Sequence, residues 1–240
     1  MSDPETRQHE TVIEIPAPVE EVWKAITEGS EIQRWLAPEV RTDAREGGEY
    51  FISWGPGMEG GGAIEVFDAP HHLRLVQRRG GMAQDYYLKG KGGVTILRLV
   101  HSGFLNTAEW DNEYNGTRAG WPIFFRILKH GLTRHRGAYG RNLDLYAMSN
   151  DSIDRAWELL APLRPSQVGG ENAPHLAWWI WPERNDAMVQ LSCSPYGPKT
   201  GIWMSVATFG LPEEAVTAIR DDCQQRLNAI FTEQTSETSA

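Results

Sequence analysis

The segment Val94–His101 places Thr95, Leu97, Leu99 and His101 at every second position. On a strand this spacing puts all four on one face. A histidine at the end of an otherwise apolar face can donate a hydrogen bond to a bound molecule or exchange protons with it. It can equally be a structural residue bonded to the backbone near Ser102 and Gly103. Tyr50 and Tyr87 can supply orienting hydroxyls, and a one-residue change of register would present Tyr86 in place of Tyr87. Trp35, Trp54 and Trp121 suit stacking on a flat apolar molecule at a pocket entrance, or filling a core. Phe125 follows Trp121 by about one helical turn. The candidate ligand-binding set is therefore Trp35, Tyr50, Trp54, Tyr87, Leu99, His101, Trp121 and Phe125. No residue is assigned a catalytic role, and no cofactor or metal is expected.

Other chemistries find poor support. Seven histidines invite a metal site. However, His71 and His72 are adjacent and would point to opposite faces of a strand, and His130 and His135, five apart, should diverge on a helix. No ligand pair with zinc spacing is present. Asp111–Gly116 resembles the start of a calcium loop, but the position that needs a bidentate Glu is Pro122. The stretch reads better as a loop with acidic residues ahead of a helix. Gly90-Lys-Gly-Gly93 lacks the flanking residues of a phosphate-binding loop and is expected to be a hairpin turn. Cys223 falls on an apolar helix face and Cys193 just after a strand, so neither has the setting of a nucleophile.

The elements that would position the candidate set follow from pattern. Thr11–Ile15 reads as a strand, Val19–Ile26 as a helix entered at Pro18, and a second short helix carries Ile32, Trp35 and Leu36. Short strands punctuated by glycine turns run over 39–44, 49–54, 63–67, 72–77, 84–88 and 94–101. A long amphipathic helix is expected over Thr117–Arg136, with Trp121, Phe124, Phe125, Leu128 and Leu132 inward. Strand, two helices, about six strands and one long helix is the order of a helix-grip fold: an α+β domain in which a curved antiparallel sheet wraps a C-terminal helix. Both faces of Val94–His101 are apolar, so the outer face, with Val94, Ile96 and Val100, is expected to be covered by the rest of the chain or by a second subunit. Residues 138–240 read as a smaller α+β unit, either a shortened, degenerate second copy or an appended module. In it, Ala177–Trp181 (Ala-Trp-Trp-Ile-Trp) is either a docking surface or an interface between the two units. The chain after Phe231 is polar and reads as a frayed tail.

A formal charge of −9 argues against nucleic acid and anionic membranes as partners. No apolar run reaches the roughly 20 residues of a membrane span, and the N-terminus lacks a secretory signal pattern. A cytoplasmic location is expected.

Several stretches in the first unit together resemble one family: Ile15–Thr27 (Ile-Pro-Ala-Pro-Val-Glu-Glu-Val-Trp-Lys-Ala-Ile-Thr), Arg34–Pro38, Gly47–Phe51 with Trp54, His101–Phe104 and Gly120-Trp121. They are similar to the SRPBCC/START-like superfamily, in the branch of the activator of heat-shock-protein ATPase C-terminal domain, over about residues 10–136. The resemblance implies an internal, largely apolar cavity between sheet and helix and does not cover residues 138–240; the element pattern places the domain bounds near 1–136 and 138–240. The function expected first is binding of a small hydrophobic or aromatic ligand. A protein-binding or co-chaperone module, or a homodimer, comes second, and a cyclase- or hydrolase-like enzyme using His101 or a cavity tyrosine third.

Overall fold

The computed structural model describes residues 6–78, 80–165 and 174–231; the polar tail beyond Phe231 lies outside them. The chain divides into two compact units, Met1–Ala138 and Tyr139–Ala240.

The first unit is a helix-grip fold. Its elements are β1 (Thr6–Ile15), α1 (Val19–Thr27), α2 (Gly29–Ile32), β2 (Glu39–Thr42), β3 (Glu49–Ser53), β4 (Glu59–Asp68), β5 (His72–Gln77), β6 (Ala83–Lys91), β7 (Val94–Leu105) and α3 (Asp111–Arg134). All seven strands form one antiparallel sheet in the order β1-β7-β6-β5-β4-β3-β2. Each hairpin strand pairs with its predecessor, and β1 closes the far edge against β7.

Local chemistry fixes this layout. The β6–β7 hairpin turns on Gly92 and Gly93, both at positive φ (63° and 79°), the geometry a two-residue turn between twisted strands requires. Lys91 consequently pairs with Val94, and counting back places Tyr86 opposite Leu99. Gly62 is needed for a different reason: a Cβ there would sit 1.8 Å from the Val76 carbonyl oxygen on β5. Helix α1 buries Val22, Trp23 and Ile26, and Trp23 meets Phe67 edge-on at 5.1 Å.

The helix α3 differs from its expected start. Asp111–Gly116 is helical rather than a loop, because a short 3-10 turn at Ala108–Trp110 leads straight into it and Asp111 is ion-paired to Arg7 on β1 at 2.7 Å. On the outer face of β7, within this chain, Ile96 is 40 % exposed and Val94 and Val100 are half-buried, which leaves a second subunit as the cover the sequence allows. On the same face Arg98 is bonded to Glu10 on β1 and lies over the Tyr87 ring.

The second unit comprises β8 (Gly140–Ser149), α4 (Ile153–Leu159), β9 (Leu176–Trp181), β10 (Ala187–Tyr196), β11 (Lys199–Phe209) and α5 (Glu213–Phe231). Its sheet order is β8-β11-β10-β9. Ser152 caps α4 by accepting from the Arg155 amide. Helix α5 buries Val216, Ile219, Cys223 and Leu227 against this sheet's core, and Trp179 and Trp181 pack on the same core. Cys193 lies within β10, and burial pushes both thiols up to about 11.

Candidate functional site

A cavity of about 540 Å³ opens inside the first unit, bounded by α1, the turn after α2, strands β2 to β7 and the N-terminal half of α3. It is off-centre. Where α3 packs on β1, the space over β7 is filled by Leu97, Leu99, Phe104 and Phe125, all fully buried. Over β3, β4 and β5 the helix stands clear of the sheet. The sequence resemblance implies a cavity between sheet and helix; the structure has one towards the β3–β4 side.

Five of the eight candidate residues line this cavity: Trp35, Tyr50, Trp54, His101 and Trp121. Leu99 faces inward but is core, beneath the filled half. Phe125 is also core, 6.2 Å from the Trp35 ring and 5.7 Å from Trp121. Tyr87 is a correction: it points outward, 38 % exposed and stacked on His72 at 4.4 Å. Tyr86 takes the inward place, because its partner Leu99 faces inward and directly paired residues share a face. The turn glycines carry this register; counting from them would have chosen Tyr86.

The aromatic wall is held by hydrogen bonds. The Trp35 indole donates to the Ala25 carbonyl at 2.9 Å and the Trp54 indole to the Leu36 carbonyl at 3.0 Å. The Trp121 indole donates to Nδ1 of His101 at 3.1 Å. An indole N–H can only donate, so Nδ1 is the bare nitrogen and the ring proton sits on Nε2. Burial, then the neighbouring His9, lowers the His101 pKa to about 3, so the ring is neutral at physiological pH. His101 is thus not bonded to nearby backbone as a structural histidine would be; it presents an N–H donor.

Three of the polar groups in the wall, two tyrosine hydroxyls and the His101 ring, are not equivalent. The Tyr86 hydroxyl donates to Oε1 of Gln84 at 2.9 Å. The Tyr50 hydroxyl and Nε2 of His101 are buried and have no protein partner. Burial raises the Tyr50 pKa to about 12 and that of Tyr86 well above its ordinary value, so both stay protonated.

Sequence reasoning missed the helix side of the mouth. Glu113, Gly116, Thr117, Gly120 and Phe124 of α3 face Trp54, Gly57 and Met58 of the β3–β4 hairpin. A Cβ on Gly116 would meet nothing within 4 Å. Two glycines four apart in a helix are the sequence signal for such a smooth wall, since each costs helix stability.

His130 and His135 do not diverge as expected. The helix ends at Arg134, His135 leaves it, and the two rings meet at 5.0 Å. Among the described residues no group of three or more His, Cys, Asp or Glu is placed to hold a metal ion. Nor, among these residues, is any helix long and apolar enough to cross a membrane.

Residues 16–133 match the family model described as activator of Hsp90 ATPase homolog 1-like protein. No curated protein matches the chain. Among solved structures, CalU16 from Micromonospora echinospora is 25% identical, covering 55% of this chain and 79% of its own, with a TM-score of 0.45. The Aha1 dimer from Colwellia psychrerythraea is 17% identical, covering 55% and 99%, with a TM-score of 0.49. DynU16, from the dynemicin biosynthetic locus, is 16% identical, covering 93% and 96%, with a TM-score of 0.45.

Proposed function

Because the first unit, over residues 16–133, belongs to the activator of Hsp90 ATPase homolog 1-like family of the SRPBCC superfamily, we propose that it binds a small hydrophobic or aromatic ligand between α3 and the sheet. One observation carries this reading: a cavity of about 540 Å³ walled by Trp35, Trp54, Trp121 and aliphatic side chains, whose lining residues Tyr50 and His101 each hold a buried, unpaired polar atom. A chain under selection for stability alone would fill that space, since empty volume costs about 24 cal/mol per Å3 where it replaces packed side chain. Apolar burial, at roughly 25 cal/mol per Å2, supplies the binding energy. Thermal unfolding with a panel of lipids and polycyclic aromatics tests the reading. A ligand present at 100 times its Kd stabilises the unit by about 2.7 kcal/mol. An unchanged transition across the panel, with native mass spectrometry showing no retained molecule, would remove it.

The enzyme reading would rest on a cavity tyrosine in place of His101. A histidine whose pKa lies near 3 is too weak a base to take a proton near neutrality, so His101 serves as a donor.

A partner-binding role is the second reading, favoured by an exposed apolar strip on the outer sheet face: Val12, Ile96 and Tyr87 around Arg98. The family's description suggests the assay: stimulation of an Hsp90 ATPase by this protein, lost in Val12→Asp/Ile96→Asp. No stimulation by the unsubstituted protein would dismiss it.

The second unit is proposed to be a shortened copy of the first. Its order β8-β11-β10-β9 follows β1-β7-β6-β5, it has a helix after its first strand and a long helix at its end, and it lacks counterparts of β2, β3 and β4. Failure of an experimental structure to superpose these elements would refute the correspondence.

A further inference from the structure

The proposed ligand site also defines the chemistry of what it accepts. His101 is 1 % exposed, its Nδ1 is taken by the Trp121 indole, and its Nε2–H has no protein partner. Tyr50 is 9 % exposed, and its hydroxyl is likewise unpaired. The Tyr86 hydroxyl is already used on Gln84. Of the buried side-chain polar atoms in this wall, the two left without a protein partner are therefore one obligatory donor and one hydroxyl that can also donate. Such a pair matches a single oxygen with two lone pairs.

Charge narrows the choice further. Among the described residues that line the cavity there is no Lys or Arg, while Glu59 and Glu113 are both present. Nearby Arg41 and Arg78 are engaged by Glu39 and Glu49. A carboxylate or phosphate taken into this space would lose its hydration and find no counter-charge. Resting on the ligand-binding reading, we propose that the cavity selects uncharged aromatic molecules bearing a carbonyl oxygen, held by Nε2–H of His101 and the Tyr50 hydroxyl, and rejects their anionic counterparts. Trp121 is the positioning residue: its indole forces the His101 proton onto Nε2.

Three probes of nearly one shape separate the terms: pyrene, 1-acetylpyrene and 1-pyrenecarboxylate, titrated by fluorescence. Each neutral hydrogen bond contributes roughly three- to tenfold in affinity. The ketone is expected to bind about tenfold or more tighter than pyrene, and the carboxylate more weakly than either. The carbonyl stretch of bound 1-acetylpyrene should fall relative to its value in hydrocarbon solvent. In Tyr50→Phe the ratio of ketone to pyrene affinity should shrink roughly threefold or more, and in Tyr50→Phe/His101→Leu the advantage should vanish. Should the double variant not fold, the single variant and the carbonyl stretch in the unsubstituted protein still decide. Equal binding of pyrene and ketone, an unshifted carbonyl stretch, or preference for the carboxylate overturns the proposal while leaving the cavity a ligand site. Binding of none of the three overturns both.

Discussion

The hydrogen bond from Trp121 to His101 gives a prediction that needs no ligand. Trp121→Phe keeps an aromatic ring among Tyr86, Phe124 and Phe125, whose centroids lie 5.7 to 6.2 Å from that of Trp121. It removes the donor to Nδ1 of His101. A buried acceptor without a partner costs about 1–3 kcal/mol. The lost ring volume joins an existing cavity and adds on the order of 1 kcal/mol at most. His101→Leu should cost a similar amount by orphaning the indole N–H, offset in part because the unpaired Nε2 disappears. The double variant orphans neither group, so the two changes should be coupled by about 1–2 kcal/mol. Urea unfolding followed by amide exchange in β7 and α3 peptides measures this within the first unit, whatever the second unit does. The ring 15N shifts add a direct readout: proton on Nε2 in the unsubstituted protein, a mixture of tautomers in Trp121→Phe. Additivity within about 0.4 kcal/mol, or an unsubstituted protein with its proton on Nδ1, would refute the assignment.

Other consequences are as specific. The His101 pKa lies near 3 in the fold against an ordinary 6.5, so protonation favours the unfolded chain. Its contribution is constant above about pH 6.5 and is lost as the pH falls towards 3, reaching about 2 kcal/mol by pH 5; His101→Leu should flatten that slope in urea midpoints, with a residue left from His9, which burial and then Arg118 shift the same way. Gly116→Ala should stabilise the protein by about 0.5–1 kcal/mol, because helical backbone gains and the added Cβ meets nothing within 4 Å; a lowered melting temperature would contradict this. Gly116→Phe should slow uptake and release of any cavity probe in stopped-flow fluorescence, and unaltered rates would place the entrance elsewhere. Asp85 is buried between His72 and Arg74 on the outer sheet face. Arg74→Met should therefore cost about 1–3 kcal/mol, well beyond the change expected at an ordinary exposed arginine; a cost under 0.5 kcal/mol by urea unfolding would show the pair to be unimportant.

Much of the fold was legible because its signals are local. The glycine turns separated the strands, Pro18 marked the entry of α1, and the alternation in Val94–His101 assigned Thr95, Leu97, Leu99 and His101 to the buried face, where the structure has them. Misreadings arose where position depends on a distant partner. Asp111 looked like loop because its neighbours are polar, yet Arg7, more than a hundred residues earlier, anchors it at the start of α3. Tyr87 was placed inward because strand alternation fits either register, and the pairing of Tyr86 with Leu99 turns it out.

Sequence alone determined the succession of elements, the family, and a short set of residues able to meet a ligand. It determined these because side-chain period, turn chemistry and composition are properties of adjacent residues. The tertiary structure decided which of that set share a cavity, that Tyr86 rather than Tyr87 faces inward, and which nitrogen of His101 carries the proton. The last depends on a bond between residues twenty apart, made only when α3 lies over β7. A period of two separates the faces of a strand, and on β6 the pairing with β7 decides which of two adjacent tyrosines faces in.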